Sequence, residues 1–178
     1  GNQAEYGGGI YHYGTYTMTL SYSTLHDNQA ASGGGGIYNN SILIIWNSTF
    51  SGNLAGVDGG GLRNLDELHI VNSTFSSNAA GDDGGGIYNL SAIPLALGNV
   101  TLTLNKADKD SSGAGNGGGI YNNGSYVILY DSLVAENLDL SPGGMQPVDC
   151  VGALFSGGYN LLGDNTGCTG LVDGVNGD

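Results

Sequence analysis

The chain has 178 residues, 35 of them glycine and 3 proline, and its 3 Lys and Arg against 16 Asp and Glu leave a formal net charge of −13. That length is one domain, and glycine without a strict third-place period excludes collagen. Such acidity repels phosphate backbones, which argues against a nucleic-acid partner, and no apolar run approaches the ~20 residues of a membrane-spanning helix.

In chain order, the first recurring segment is GGGIYH at 7–12. It returns as GGGIYN at 34–39, GGGLRN at 59–64, and GGGIYN at 84–89 and 117–122. The apolar residue after the glycines is Ile10, Ile37, Leu62, Ile87 and Ile120, at intervals of 27, 25, 25 and 33. A period of this size marks a solenoid. The second segment is an apolar pair split by one residue, as in Leu43 and Ile45 or Leu68 and Ile70. The third runs from STLHDN at 23–28 to SLVAEN at 132–137. Its apolar Leu25, Phe50, Phe75, Leu102 and Val134 are each followed three residues later by Asn28, Asn53, Asn78, Asn105 and Asn137. Alternation of this kind is that of strands with one buried face, and no stretch carries the i, i+3, i+4, i+7 pattern of a helix.

Three short strands per unit, wound once per unit, bring every column directly over its counterpart. The expected fold is therefore all-β: a parallel β-helix of about six coils of roughly 25 residues. Residues 1–138 form its regular coils and 139–178 an irregular final coil, within one solenoid domain. The glycine runs fit sharp corners, where only glycine takes positive φ without penalty. Asn28, Asn53, Asn78, Asn105 and Asn137 are expected to form an inward ladder, each amide donating to one neighbour and accepting from the other. Asn39, Asn64, Asn89 and Asn122 are expected to form a second.

Cys150 and Cys168 are the only cysteines. A chain otherwise free of cysteine and rich in Ser, Thr, Asn and Gly reads as secreted, where a lone pair bonds and here would pin the irregular coil.

GGGIYN, NSTFSSN and the tail SGGYNLLGDNTGC resemble bacterial right-handed parallel β-helix surface proteins, the choice-of-anchor Q proteins and, more distantly, the polymorphic outer-membrane proteins with their GGAI and FxxN repeats. The resemblance implies a right-handed coil and an exported protein displayed on, or released from, the cell surface.

The same fold carries polysaccharide lyases and glycosidases, so fold alone assigns no activity. The cations are few (Arg63, Lys106 and Lys109), GHG and NTD motifs are absent, and His12, His26 and His69 fall in three different columns. The chain is read as not an enzyme, and no catalytic residue is assigned. A glycosidase reading would need Asp66 with Glu67, or Asp82 with Asp83, to be paired with acids one coil away. Acids gather before the glycine runs. Asp58, Asp82 and Asp83 are candidate calcium ligands by their hard oxygens, and no other cofactor is expected.

The outward column after the first strand residue is Tyr11, Tyr38, Arg63, Tyr88 and Tyr121, a candidate surface for a partner chain or glycan. Sequons occur at Asn39, Asn47, Asn72, Asn89, Asn99 and Asn123, several at ladder positions that should be buried. The function expected is a non-catalytic, extracellular structural solenoid of a fibre, surface layer or adhesin. Its open coil ends would stack head to tail, or the chain would be part of a longer solenoid. The alternative is a carbohydrate-binding or carbohydrate-cleaving module on the same fold.

Overall fold

A computed structural model describes residues 1–111, 113, 115–142 and 146–171. The far coil end, expected to be open, lies from residue 172 on outside the described residues. Among them every element is a strand. The first stack comprises Ile10–Tyr13, Ile37–Asn40, Leu62–Asn64, Ile87–Asn89 and Ile120–Asn122. These strands open coils one to five. The second stack comprises Met18–Ser21, Leu43–Trp46, Leu68–Val71, Leu95–Gly98 and Val127–Tyr130, and the third runs from Thr24–His26 to Leu161–Leu162. All are paired in parallel, with Ile37 over Leu62 over Ile87 over Ile120 in unbroken register.

These are the three strands per coil that the apolar alternation predicts. Each coil also contains a two-residue strand, such as Gln29–Ala30, Leu54–Ala55 or Ala79–Ala80, which forms a fourth stack. The stacks merge into three sheets of 7, 12 and 6 strands. Cys150–Gly158 does the merging: it runs straight past the corner that earlier coils turn, pairing with both Ile120–Asn122 and Val127–Tyr130. Gln146–Pro147 pairs antiparallel with Leu138–Asp139, which interrupts the parallel winding there.

The core is a column of stacked side chains. Ile37, Leu43, Ile45, Phe50, Leu62, Ile70, Phe75, Ile87, Leu97 and Leu102 are all fully buried. Phe50 and Phe75 lie face to face, with centroids 4.4 Å apart and planes within 1°. At the first coil, Ile10, Met18 and Leu20 are only half-buried against this column.

One corner explains the glycines. Gly34 has φ of +70°, a backbone state that side chains resist. A Cβ on Gly35 would lie 2.4 Å from the Gly60 carbonyl oxygen and 2.6 Å from the Leu54 backbone, because the fourth-stack strand crosses directly behind it. A Cβ on Gly36 would meet the Gly61 carbonyl oxygen at 2.4 Å and the Asn53 side chain at 3.4 Å. The costly triplet is therefore one turn residue and two close approaches.

The inner asparagine ladder is present and longer than its five expected members. Asn53 Nδ2 donates to Asn78 Oδ1 at 2.9 Å and to the Leu25 carbonyl at 2.9 Å, while the Asn53 backbone N–H donates to the same Asn78 oxygen at 3.0 Å. All three bonds repeat at Asn78 and Asn105, and Asn28 makes the two to the Asn53 oxygen. At one end Asn2 donates to Asn28 Oδ1, and at the other Asn137 donates to Asp149 Oδ1 at 2.7 Å. Asp149 is 1% exposed, and its second oxygen accepts from Asp164 N–H at 2.6 Å. A carboxylate can close the ladder because the next donor comes from backbone. The second ladder links Asn39, Asn64, Asn89 and Asn122 at 2.7 to 2.9 Å, and His12 Nδ1 lies 2.8 Å from Asn39 Oδ1 at its foot.

Candidate functional site: the tyrosine–arginine column

The first-stack strands alternate, so the residue after each core isoleucine or leucine faces outward and sits one interstrand spacing from its counterpart. Tyr11 and Tyr38 stack at 5.2 Å and 19°, and Tyr88 and Tyr121 at 5.4 Å and 6°. Tyr6 closes on Tyr38 edge-on at 5.2 Å. Arg63 fills the gap between the two tyrosine pairs, its guanidinium carbon 5.7 Å from the Tyr38 ring centre and 5.4 Å from that of Tyr88. A planar cation between two ring faces gains quadrupole attraction that another tyrosine would not.

The column expected to form an open aromatic surface is open only at one end. Tyr11 is 54% exposed, whereas Tyr88 is 8% exposed. Burial, joined by the Asp58 charge, pushes the Tyr88 hydroxyl up to about 12. Side chains that stack on each other spend the faces they would offer to a ligand.

Beside this column runs another, from the residues immediately before the glycine triplets: Tyr6, Gly33, Asp58, Asp83 and Asn116. Arg63 folds back over Gly33, where a Cβ would meet its Cδ at 2.7 Å and its Nη1 at 2.8 Å. Its Nη1 reaches Asp58 Oδ2 at 3.6 Å, and its buried Nε has no hydrogen-bond partner. Burial raises the Asp58 carboxyl, with Arg63 pulling the other way. Burial raises Asp83 to about 6, opposed by a hydrogen bond from Asn116 Nδ2 at 3.4 Å and assisted by the Asp58 charge.

Of the three candidate calcium ligands, only Asp58 lies against Arg63. Among the described residues no three His, Cys, Asp or Glu side chains gather as a metal cluster. Asp58 is engaged by the guanidinium and Asp83 by Asn116. The three histidines are dispersed, His12 on Asn39, His26 on Asp27 and His69 on Glu67. Cys150 and Cys168 are bonded to each other, with Cα atoms 5.6 Å apart. Three features escaped the sequence reading: the Gly33 slot, the Asp83–Asn116 contact and Asp149. The first two were findable, because GGGG, DGGG, DGGG and NGGG align the column before each triplet.

Of the sequons, Asn39 and Asn89 are fully buried, whereas Asn72 and Asn99 are exposed. These two and Asn47 form a third ladder, with Asn99 donating to Asn72 at 2.8 Å and Asn72 to Asn47 at 3.2 Å.

A family model for the Chlamydia polymorphic membrane protein repeat matches residues 23–40 and 72–90. No curated protein and no solved structure matches the chain. Each matched segment runs from a third-stack strand through the ladder asparagine and the glycine corner to a column tyrosine, Tyr38 in one and Tyr88 in the other. Over those two stretches, about a fifth of its length, the chain is similar to the Chlamydia polymorphic membrane protein repeat.

Proposed function

We propose that the chain is a non-catalytic structural solenoid of the cell surface, extending into a fibre, surface layer or adhesin. The observation that carries this reading is the commitment of its polar side chains to lengthwise bonding. Both inner ladders, the disulfide and the tyrosine–arginine column tie coil to coil, and the repeat they belong to is similar to that of an outer-membrane protein family. The tail SGGYNLLGDNTGC, which resembles choice-of-anchor Q proteins, fits the same location. Surface biotinylation of intact source cells tests it: labelling of Lys109 is expected, and a protein protected until the cells are lysed would overturn it.

Growth along the axis is supported by the half-buried Ile10, Met18 and Leu20, which a further coil of the same chain or of another molecule would cover. Sedimentation of residues 1–178 should show species larger than a dimer at high concentration, reduced by Leu20→Glu. A monodisperse monomer would leave a continuing chain as the cover.

One observation favours a glycan-binding reading. A groove of about 560 Å³ crosses the fourth stack, with Gln3 and Gln29 amides on its rim, Ala30 and Ala55 in its floor, and Lys109 and Asp110 at one end. A glycan array tests this: binding abolished by Gln29→Ala supports it, and no binding removes it.

A further inference from the structure

The outward face of the second stack carries an observation that the stacking of coils does not explain. Gly98 occupies a strand position where glycine weakens pairing, yet its φ is not positive and a Cβ there would meet only Val71 Cγ2, at 4.0 Å. Backbone geometry does not require the glycine. Its effect is a dent in the face beside Ala96. Two coils away stands the largest projection on that face, Trp46, 48% exposed, beside Ile44.

The face presents two outward columns. One is Thr19, Ile44, His69, Ala96 and Ile128, continued by Phe155 in the sixth coil, and the other is Ser21, Trp46, Val71, Gly98 and Tyr130, continued by Gly158; the sixth coil overhangs the exchange described next. A two-fold axis along the strand direction at the third coil keeps each column opposite itself and exchanges coil two with four and coil one with five. Trp46 then faces Gly98, Ile44 faces Ala96, Tyr130 faces Ser21 and Ile128 faces Thr19. Large meets small at every exchanged pair. A two-fold along the solenoid axis would instead set Trp46 against Ile44 and leave Gly98 opposite Ala96, bump on bump and hole on hole. Charge points the same way. A chain of net charge −13 repels its copies, and neither column contains an acid or lysine. Glu67, bonded to His69 at 3.0 Å, stands at the rim.

We propose that two copies pair laterally and antiparallel through this face, with Trp46 of each seated over Gly98 of the other. Five coils at about 4.8 Å by five residues at about 3.3 Å give roughly 400 Å² per copy, or about 800 Å² buried in all, below the ~1,200 Å² of a standing dimer. The pairing is therefore weak for isolated molecules and gains strength where many copies are held together. It is isologous and closes at two, which separates it from growth along the axis.

Sedimentation equilibrium of residues 1–178 between about 10 μM and 1 mM tests this. With Leu20→Glu in every sample to suppress axial growth, the chain with wild-type Trp46 and Gly98 should approach a dimer. Gly98→Trp and Trp46→Gly, each with a thermal melt to confirm folding, should weaken pairing at least about tenfold. The double variant, which exchanges knob and hole, should restore it to within about threefold. Ile44→Ala with Ala96→Ile is a second exchange with the same expectation, should the tryptophan swap not fold. A wild type monomeric at about 1 mM, single variants that pair as the wild type does, or folded exchanges that fail to recover would each overturn the proposal. Species beyond a dimer that ignore Gly98→Trp would do so too, leaving axial growth intact.

Discussion

The chain contains two kinds of asparagine ladder with the same coil spacing and opposite surroundings. Asn53, Asn78 and Asn105 are fully buried, and each amide feeds the next coil's oxygen and the previous coil's carbonyl. Asn47, Asn72 and Asn99 sit at the corner before the third stack, each with φ near +50°, and touch one another through single bonds in reach of water. Periodicity alone does not distinguish them. What differs is whether a lost partner can be replaced by solvent, and that sets what each is worth.

The sharpest way to break this comparison is Asn78→Leu. It removes the acceptor for both Asn53 N–H and Asn53 Nδ2, and the donor to the Phe50 carbonyl. Three buried groups then go unpaired at about 1–3 kcal/mol each, so a loss of at least about 3 kcal/mol is expected in chemical denaturation. A variant that unfolds at the wild-type denaturant concentration would show that solvent reaches the ladder.

The second prediction concerns the ladder's end. Asp149 accepts through both oxygens, from Asn137 on one side and Asp164 N–H on the other. In Asp149→Asn the oxygen still serves Asn137, but the new NH₂ confronts Asp164 N–H, two donors face to face. A cost of about 1–2 kcal/mol is expected, confined to the final coil. Hydrogen exchange should show faster opening at residues 161–169 with Asn53 and Asn78 unchanged.

How much of this was legible follows from the same contrast. The glycine corners, the three long strands and both inner ladders show in the sequence because each is one residue type held at one offset over five coils. The fourth stack does not, since its two-residue strands mix Gln, Leu, Ala and Lys and alternate over nothing. Asp149 stands only twelve residues after Asn137, where an antiparallel pair interrupts the winding, and no repeat count could place it in the ladder. Arg63 showed as an interruption of the tyrosines; that it lies in a slot kept open by Gly33 depends on a residue in the neighbouring column. Sequence period reports what stacks on itself and is silent about what one column does for another.

The third prediction moves to the outer face. Asp83 is half-buried and its carboxyl is raised to about 6 from an ordinary 3.8. Between those values the folded chain holds a proton that the unfolded chain has released. Stability conferred by Asp83 is therefore highest below about pH 4, falls as pH rises through about 6, and is flat above. Asp83→Asn should abolish this slope and stabilise the protein at pH 7. Solvent screening of a half-exposed group limits the gain to about 1 kcal/mol, or about 2–4 °C in Tm. A wild type whose Tm rises from pH 4 to pH 6 by more than the variant's would contradict the sign.

The smallest expected effect is at Asn72, and it tests the outer ladder directly. Its side chain donates to Asn47 Oδ1 and accepts from Asn99 Nδ2, so it sits in a chain of amides as Asn78 does. Asn72→Ser deletes both bonds. Water satisfies the groups left behind, and serine tolerates the left-handed corner only slightly less well, since Tyr22 and Asp131 already occupy the equivalent position at φ of 49° and 48°. The change should stay within about 0.5 kcal/mol, the usual range for a surface substitution. Asn72→Leu removes the amide as well and should differ from serine by no more than the same amount, whereas Asn78→Ser should remain as damaging as Asn78→Leu. A cost at Asn72 approaching that at Asn78 would mean that stacked amides are strong in their own right, wet or dry, and that burial is not what separates the two ladders.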